Sequence, residues 1–359
     1  QDMVASMPDW LLDVAKVDGE LYAIPNQQII ARQMGVVVRK DMAEKYGFNM
    51  DSMKSIRDIE PFLDEIVKNE TGIFPIDKRV EALYEASYET VGTYASVNKE
   101  TVEVIPYSEA IADQMRLDNE WYQKGYVAKD MATCSDSGEA QMRAGNLFSY
   151  MVNSKPNTKQ EKDDQTGYDS TIVHVNTNVM TSGGINAINY CIGSGCPNPE
   201  KAMTLLNWIH ETKEANDLLN WGVEGVHWVE QEDGTADFPE GMTAESCGYH
   251  HNMGYIMPNQ FNSHVWAGND ADIFDVYAEV DGNAIVSKAF GFNADLTVVA
   301  DQVAATTDVL SQYIGQITTG SVEPGPAIEE FNKALYDAGL QDIIDAKQEQ
   351  LDAWLAEQQ

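Results

Sequence analysis

The chain has few basic residues: its 359 residues include 23 Lys and Arg against 58 Asp and Glu, a formal net charge of −35. This charge repels nucleic acids and anionic lipid surfaces, so both are poor partners. No run of apolar residues reaches the roughly 20 that a membrane-spanning helix needs. The excess of acidic side chains indicates a broadly solvated acidic surface, which keeps a surface protein soluble.

Cysteine is also scarce, with only four residues of this type. Cys191 and Cys196 are close enough in sequence to close a small disulfide loop, and free thiols are the alternative. Their four-residue gap differs from the two-residue gap that is common in metal sites. The neighbouring His250 and His251 would point in opposite directions on an extended segment. We therefore expect neither a metal nor another cofactor.

The length and the composition predict two α/β domains. A chain of 359 residues is too long for one simple core, and a hydrophobic content of 43% supports a folded structure. Strands alternate with helical patterns, and the chain reads as helical from residue 295 onward, with a break at 320–326. The sequence contains no nucleophile elbow, phosphate loop, zinc-binding helix or paired Cys–His signature, so we expect no enzymatic activity.

Local signals predict individual elements. Gly19 predicts a turn before a short strand, and Pro25 restrains the backbone that follows it. Residues 153–167 are polar and predict a loop. The sequence NPE at 198–200 predicts a helix start, with Met203 and Leu205 facing inward. The sequence DG at 233–234 predicts a hairpin over residues 228–238.

Several segments together resemble a known family. They are GELYAIP at 19–25, MRAGN at 142–146, GGIN at 183–186, NPEKAM at 198–203, LLNWGVEGVHW at 218–228 and QEQLDAW at 348–354. These segments are similar to the family 1 extracellular solute-binding proteins of ABC importers, the maltose-binding-protein-like superfamily. The tryptophan-rich block and the C-terminal block resemble its lipoprotein-type, oligosaccharide-binding subgroup.

The resemblance implies a two-lobe, periplasmic-binding-protein-like fold (type II) with a helical C-terminal region. The first lobe would comprise residues 1–27 and 180–290, and the second residues 28–179 and 291–359. The chain would cross between the lobes near 25–30, 176–182 and 290–295. Family members carry further residues before the first crossing, so we expect the N-terminal part of the first lobe to be missing from this chain.

The resemblance also implies a function. The protein would be a monomer that captures a small carbohydrate in the cleft between its lobes and delivers it to the permease subunits of an ABC importer. It would act in the periplasm or, with a lipid anchor, on the outer face of the cytoplasmic membrane; neither signal nor anchor is in this chain. A glycan hydrolase, a peptide binder and a scaffold protein on the cell surface are the alternatives.

A sugar presents hydroxyl groups and apolar C–H faces, so its site needs amides or charged groups together with aromatic rings. Ten residues near the predicted crossings and strand ends are candidates: Asn26, Gln27, Gln28, Asn153, Lys155, Trp221, Glu224, Trp228, Trp266 and Asn293. Several of them have an alternative role. The three amides at 26–28 would satisfy hinge backbone, Asn153 and Lys155 would lie in a solvated loop, and one or both of Trp221 and Trp228 would close the core beside the hairpin.

Overall fold

The structure is a computed structural model that describes residues 2–17, 19–77, 82–91, 95–244, 246–251 and 253–358. Asp18, the first residue of the predicted turn, lies outside these residues. The chain divides into two units. Unit 1 consists of Gln1–Ala31 and Met180–Ala284, and unit 2 consists of Arg32–Val179 and Ile285–Gln359. That the two units are the predicted lobes stays a prediction.

The described residues form the following α-helices in chain order: α1 (Asp2–Ser6), α2 (Asp9–Val14), α3 (Lys40–Tyr46), α4 (Glu60–Asn69), α5 (Ala82–Ser87), α6 (Tyr107–Ala110), α7 (Ala112–Lys124), α8 (Gly138–Arg143), α9 (Thr158–Thr166), α10 (Ser182–Ile185), α11 (Pro199–Glu211), α12 (Lys213–Asn220), α13 (Ile273–Gly282), α14 (Ala300–Ile317), α15 (Pro324–Asp337) and α16 (Leu340–Glu357). Single turns of 3-10 helix lie at Met50–Ser52, Ile56–Ile59, Met131–Thr133, Gly254–Ile256 and Thr297–Val299.

The strands of the described residues are β1 (Lys16–Val17), β2 (Glu20–Leu21), β3 (Ile24–Pro25), β4 (Gln33–Arg39), β5 (Phe74–Ile76), β6 (Tyr88–Thr90), β7 (Ala95–Asn98), β8 (Val104–Pro106), β9 (Leu147–Ser154), β10 (Ser170–His174), β11 (Val179–Met180), β12 (Asn189–Tyr190), β13 (Val229–Glu230), β14 (Ala236–Asp237) and β15 (Ile285–Val286). Within the described ranges, no helix is both long and apolar enough to cross a bilayer.

A four-stranded sheet in the order β10-β4-β9-β5 is the centre of unit 2. Strand β4 is antiparallel to both β9 and β10, and β5 is parallel to β9. Val36, Val37 and Val38 in β4 are all fully buried, so side chains cover both faces of this strand. A continuous apolar run is typical of a strand in such a position. The register places Ser154 of β9 opposite Gln33, and His174 of β10 opposite Gly35.

A second core in unit 2 joins the sheet β6-β7-β8 to the C-terminal helices. Phe331 of α15 and Leu340 and Leu351 of α16 are fully buried in it. The predicted helical C-terminal region is therefore present, but α14 begins at Ala300 rather than at residue 295. The reason is local: the Asp295 carboxylate accepts hydrogen bonds from the Thr297 backbone N–H at 2.9 Å and from its hydroxyl at 2.7 Å, which forms a turn instead of a helix.

The predicted loop over residues 153–167 is wrong. Strand β9 continues to Ser154, and α9 occupies Thr158–Thr166. The helix forms because its polar side chains have partners. Lys162 pairs with Glu139 at 2.7 Å, Lys159 pairs with Asp163 one turn along, and the Thr166 hydroxyl donates to the Lys162 carbonyl at 2.7 Å. The polar composition was mistaken for a lack of structure.

Unit 1 contains α11 and α12, and the N-cap predicted for α11 is confirmed. The Asn198 side-chain oxygen accepts from the Lys201 backbone N–H at 3.1 Å, and Pro199 is the first helical residue. The predicted inward face is wrong in part, because Met203 and Leu205 are exposed.

Backbone pairs and one carboxylate fix the segment of unit 1 that leads to its boundary at Ala31. Strand β3 pairs with β12, and the Gln27 backbone N–H donates to the Pro258 carbonyl at 2.9 Å. The Asp281 carboxylate accepts from the backbone N–H groups of Ile30 and Ala31, the shorter distance being 2.7 Å. These bonds hold residues 24–31 in place within unit 1.

Unit 2 buries one acidic and one basic side chain, Glu89 and Lys347. Glu89 of β6 is buried, and one of its carboxylate oxygens accepts from the Ser287 hydroxyl. Lys347 of α16 is fully buried and donates to the Ala95 carbonyl at 2.6 Å. Burial raises the pKa of Glu89 and lowers the pKa of Lys347 to about 7, although each group opposes the other's shift.

We expect Lys347 to make the stability of the protein depend on pH. Between the folded-state pKa of about 7 and the unfolded value of 10.5, the unfolded chain binds more protons at this position, so the free energy of unfolding rises with pH. Replacement of this lysine (Lys347→Met) should flatten that rise, as measured by urea denaturation across this pH window. The exposed Lys333 of α15 provides the control, Lys333→Met, which should leave the slope unchanged. Equal slopes for the wild type and K347M would contradict this account.

Candidate functional site

A β-hairpin organises the aromatic side chains of unit 1. Strands β13 and β14 pair antiparallel, as predicted, and Gly234 has the positive φ of 81° that their turn requires. The Asp233 carboxylate accepts from the Thr235 backbone N–H at 2.9 Å and stiffens the turn. On the other side of β14, the Ala236 backbone N–H donates to the Val265 carbonyl at 2.8 Å. The hairpin thereby fixes residues 264–267 beside it.

Six ring side chains meet around this hairpin and form what we call the aromatic cluster: Trp221, Trp228, Phe238, His250, His264 and Trp266. Trp266 is central, because its ring centroid lies 4.7 Å from that of Trp221, 4.3 Å from that of His250 and 4.8 Å from that of Phe238. The His264 ring packs at a tilt against Trp228, with 4.9 Å between the ring centroids. Sequence reasoning singled out the three tryptophans but missed both Phe238 and the ring role of the histidines.

The tryptophans of the cluster differ in exposure. Trp221 is 4% exposed and Trp228 is 3% exposed. Their indole N–H groups donate to the His264 carbonyl at 3.2 Å and to the Gly222 carbonyl at 3.0 Å. Both tryptophans are thus buried beside the hairpin, where the alternative interpretation of the sequence placed them. A ligand contact by either of them stays a prediction. Trp266 is only half-buried.

Glu224 is exposed in the loop between the two buried tryptophans. It forms an isolated backbone bridge with Trp228, next to the hydrogen bond from the Gly225 backbone N–H to the Trp228 carbonyl at 2.7 Å. The structure therefore places Glu224 on the same loop as the aromatic cluster. Its carboxylate stays available to accept hydrogen bonds from solvent.

The amides at 26–28 lie in a second polar region of unit 1. Asn26 is fully buried; its amide N–H donates to the Tyr255 carbonyl at 2.5 Å, and its oxygen accepts from Gln28 at 3.2 Å. Asn26 and Gln28 thus satisfy one another and the backbone, as their alternative role predicted. Gln27 differs, because its side-chain oxygen is buried and has no hydrogen-bond partner among the described residues.

Five further buried polar atoms of unit 1 have no hydrogen-bond partner within the described part of the chain: His210 Nε2, Asn216 Oδ1, Asn220 Nδ2, His250 Nδ1 and Gln260 Oε1. An unpaired buried polar group costs about 1–3 kcal/mol, so a hydrogen bond from such an atom to water or to a ligand is favourable. Residues 250–260 connect the amides to the aromatic cluster, since the His251 and Met253 backbone N–H groups bond to Asn220, at 2.9 Å and 3.1 Å. Sequence reasoning missed Asn220 and Gln260, because isolated amides carry no pattern.

Unit 2 has an open pocket of about 280 Å³ at the end of its central sheet. Its lining comprises Ser154, Lys155, Pro156, Lys159, Ser170, Thr171, Ile172 and His174. The candidate Lys155 thus lies in a pocket, whereas Asn153 is exposed on β9 just before it.

The charges around this pocket are balanced. Lys155 pairs with Glu161 at 2.7 Å, and Lys159 pairs with Asp169 at 2.7 Å. His174 shares a hydrogen bond of 2.9 Å with the Ser154 hydroxyl, and burial lowers the pKa of this histidine. The histidine is therefore neutral at neutral pH, and the pocket suits a neutral, hydroxyl-bearing ligand better than an anion.

The last candidate, Asn293, lies in unit 2 and is half-buried. It follows Gly291, whose φ is 99°, and Phe292, which packs 6.1 Å from Trp354 in the second core of that unit. The structure thus places Asn293 beside the C-terminal helices.

The residues that the structure describes hold no group of three His, Cys, Asp or Glu side chains suited to a metal. All four cysteines are free thiols, including Cys191 and Cys196.

Comparisons with known proteins were made over the whole chain. A family model, "Domain of unknown function (DUF3502)", matches residues 288–356. A carbohydrate ABC transporter substrate-binding protein of Streptococcus pneumoniae serotype 4 (strain ATCC BAA-334 / TIGR4) is 23% identical over 94% of this chain and 70% of its own length.

Solved structures show the same architecture. The N-glycan transport solute binding protein (NgtS) of Streptococcus pneumoniae, in complex with Man5GlcNAc, is 20% identical with a TM-score of 0.84, over 100% of this chain and 80% of the other. A family 1 extracellular solute-binding protein of Alicyclobacillus acidocaldarius is 14% identical with a TM-score of 0.50, over 93% and 76% of the two chains.

This is the fold of the family 1 extracellular solute-binding proteins. The predicted fold class, α/β with two lobes and a helical C-terminal region, is confirmed, and so is the predicted resemblance. The aromatic cluster and the pocket of unit 2 lie within that fold. At this level of sequence identity, the likeness shows the fold alone and assigns no role to either of them.

We expect Trp228 to be a structural residue of this solute-binding fold. Replacement of a buried tryptophan by alanine removes its packing and leaves a cavity, so Trp228→Ala should lower the free energy of unfolding by about 3–5 kcal/mol. Urea denaturation would measure the loss. The half-exposed Trp208 of α11 is the matched control, and Trp208→Ala should change stability by no more than about 0.5 kcal/mol. Similar losses for the two variants would show that Trp228 is not part of the core.

Proposed function

We propose that this protein is the extracytoplasmic solute-binding component of an ABC importer and that it binds a neutral oligosaccharide. The aromatic cluster of unit 1 is the observation that carries the proposal. Trp266 is less buried than Trp221 and Trp228, and the rings of Phe238 and His250 hold it in a fixed orientation. A rigid aromatic side chain of this kind stacks on the C–H surface of a sugar ring.

Amide groups of unit 1 suit the hydroxyl groups of such a ligand. Among the described residues, the side-chain oxygens of Gln27 and Gln260 have no donor, and the amide nitrogen of Asn220 has no acceptor. In unit 2, Lys155 and His174 line a pocket whose charges are balanced. A polyhydroxylated ligand needs both hydrogen-bond donors and hydrogen-bond acceptors from the protein when it leaves water.

Charge and relatives narrow the ligand class. A net charge of −35 disfavours phosphorylated or otherwise strongly anionic sugars. The pneumococcal relative NgtS forms complexes with Man1GlcNAc and with Man5GlcNAc, both of which are neutral. We infer that the ligand is a neutral oligosaccharide of this general kind.

The importer role completes the proposal. The Streptococcus pneumoniae protein that is 23% identical to this chain is a substrate-binding protein of a carbohydrate ABC transporter. Such proteins act outside the cytoplasm. We propose that this protein acts there as a monomer, in the periplasm or lipid-anchored at the outer face of the membrane. The bound sugar then passes to the permease subunits, and no covalent chemistry takes place on the binding protein.

The proposal is tested by isothermal titration calorimetry of the full chain with Man5GlcNAc, Man1GlcNAc and an anionic alginate oligosaccharide. We expect saturable binding of a neutral glycan and none of alginate. Loss of the indole ring in Trp266→Ala should weaken binding at least about tenfold, because stacking of this kind is worth about 1.5 kcal/mol. Trp266→Phe, which keeps a ring, should lie between the two.

The Trp208→Ala variant controls for the loss of a tryptophan elsewhere in unit 1, and it should bind like the wild type. Circular dichroism of each variant confirms that it is folded. If the folded wild type bound no neutral glycan, or if Trp266→Ala bound as tightly as the wild type, the carbohydrate proposal would be overturned. Turnover of an aryl glycoside would favour the hydrolase alternative instead.

A further inference from the structure

The pocket of unit 2 lies along β10, which forms one edge of the central sheet in the order β10-β4-β9-β5. Three of its lining residues, Ser170, Ile172 and His174, alternate along this strand. An edge strand has a partner strand on one side only, so every second residue directs its backbone N–H and C=O away from the sheet. The identity of those residues decides what the strand offers to a ligand in the pocket.

Two hydrogen bonds at the ends of β10 show which residues face β4. The Asp169 carbonyl accepts from the Lys40 backbone N–H at 3.0 Å, and the Val175 backbone N–H donates to the Met34 carbonyl at 3.0 Å. In an antiparallel pair, residues that bond to the partner strand alternate with residues that do not. The odd-numbered residues of β10 therefore bond to β4, and the backbone N–H and C=O of Ile172 point to the open edge.

The neighbouring position on this edge has a partner within unit 2. The Ser170 backbone N–H donates to the Asp163 carboxylate of α9 at 2.9 Å, which agrees with an outward direction for the even-numbered residues. For Ile172, no hydrogen bond from its backbone to a residue outside the sheet is found among the described residues. Its N–H and C=O are thus one donor and one acceptor at the edge along which the pocket lies.

The side chains of the pocket suit a small aliphatic group. Pro156 and Ile172 provide an apolar wall, and Ser154 and His174 share a hydrogen bond of 2.9 Å beside it. None of the eight described lining residues is Trp, Tyr or Phe, so the flat face of a sugar ring has no aromatic partner here. A volume of about 280 Å³ lies at the low end of the roughly 300–1,000 Å³ of small-molecule pockets, so it holds one sugar residue.

The charged groups of the pocket favour an uncharged partner. Lys155 lies 2.7 Å from Glu161, and Lys159 lies 2.7 Å from Asp169. A carboxylate or phosphate on the ligand would compete with these acidic side chains for the lysines. An amide or a hydroxyl group forms hydrogen bonds without breaking either ion pair.

We propose that the pocket of unit 2 binds the acetamido group of an N-acetylated sugar residue. The acetamido carbonyl accepts from the Ile172 backbone N–H, and a neighbouring hydroxyl group of the sugar donates to the Ile172 carbonyl. The acetamido methyl group contacts Pro156 and the Ile172 side chain, which a hydroxyl group in its place does not do. This inference rests on the proposed function and adds that the neutral oligosaccharide carries an N-acetylated residue.

Backbone amide NMR of the full chain, labelled with 15N and 2H, tests the contact at the strand edge. The probes are N-acetylglucosamine and glucose, which has a hydroxyl in place of the acetamido group. We expect N-acetylglucosamine to shift the Ile172 N–H signal saturably and to slow its hydrogen exchange. The Val173 N–H, which faces β4, is the internal control and should keep its exchange rate. Glucose should bind at least about tenfold more weakly, because it lacks the amide and the methyl group.

A variant tests the apolar wall separately from the backbone. Ile172→Ala keeps the N–H and removes most of the aliphatic side chain, so it should bind N-acetylglucosamine about tenfold more weakly. Ile105→Ala is the matched control, because Ile105 is a half-buried isoleucine of β8 in the same unit and does not line the pocket. It should bind like the wild type, and circular dichroism checks that both variants are folded.

The outcomes separate this inference from the proposed function. If the wild type binds Man5GlcNAc and Trp266→Ala weakens that binding, the proposed function stands. An unchanged Ile172 N–H signal, equal binding of glucose and N-acetylglucosamine, or wild-type affinity of folded Ile172→Ala would then overturn the acetamido inference alone. If the unaltered protein binds no glycan at all, N-acetylglucosamine included, both proposals fail together.

Discussion

The site in unit 1 depends on one constraint: the buried indole N–H groups of Trp221 and Trp228 each need a hydrogen-bond acceptor. Trp221 and Trp228 can be buried only where backbone carbonyls meet their Nε1 atoms, at His264 and at Gly222. The first of these bonds ties α12 to residues 264–267, which pair with β14. The position of Trp266, and that of the His264 ring, follow from this one requirement. The buried Trp221 and Trp228 thus hold the half-buried Trp266 in place.

Balanced charge explains how so acidic a chain can present a site for a neutral ligand. Lysines near the pocket of unit 2 each have a carboxylate partner within 2.7 Å, and none is left as a point charge facing the pocket. In unit 1, the groups near the aromatic cluster include amides, the Asp217 carboxylate, which is bonded to His264, and the exposed carboxylates of Glu224 and Glu230. A sugar binds to such a surface through directional hydrogen bonds and stacking, since neither requires a net charge.

Much of the fold could be predicted from the sequence, because the signals were local. Asn198 and Pro199 start a helix, Asp233 and Gly234 turn a hairpin, and the valines at 36–38 form a strand that is buried on both faces. One error arose where a side-chain partner lies elsewhere in the sequence, and another arose where a short local hydrogen bond competes with a helix. Helix α9 was taken for a loop because its polar residues were assumed to face water, whereas Lys162 pairs with Glu139. The start of α14 moved because Asp295 forms a turn with Thr297.

The sequence by itself determined the two-domain α/β organisation, the family resemblance, the acidic surface and the residue types available for a sugar site. Such properties follow from composition, periodicity and short-range capping, which act over a few residues. Only the tertiary structure decided that Trp221 and Trp228 are buried, which amide oxygens lack a partner among the described residues, and that His264 lies between Asp217 and Glu230. Those facts depend on burial and on distances between segments far apart in the chain, and no local pattern encodes them.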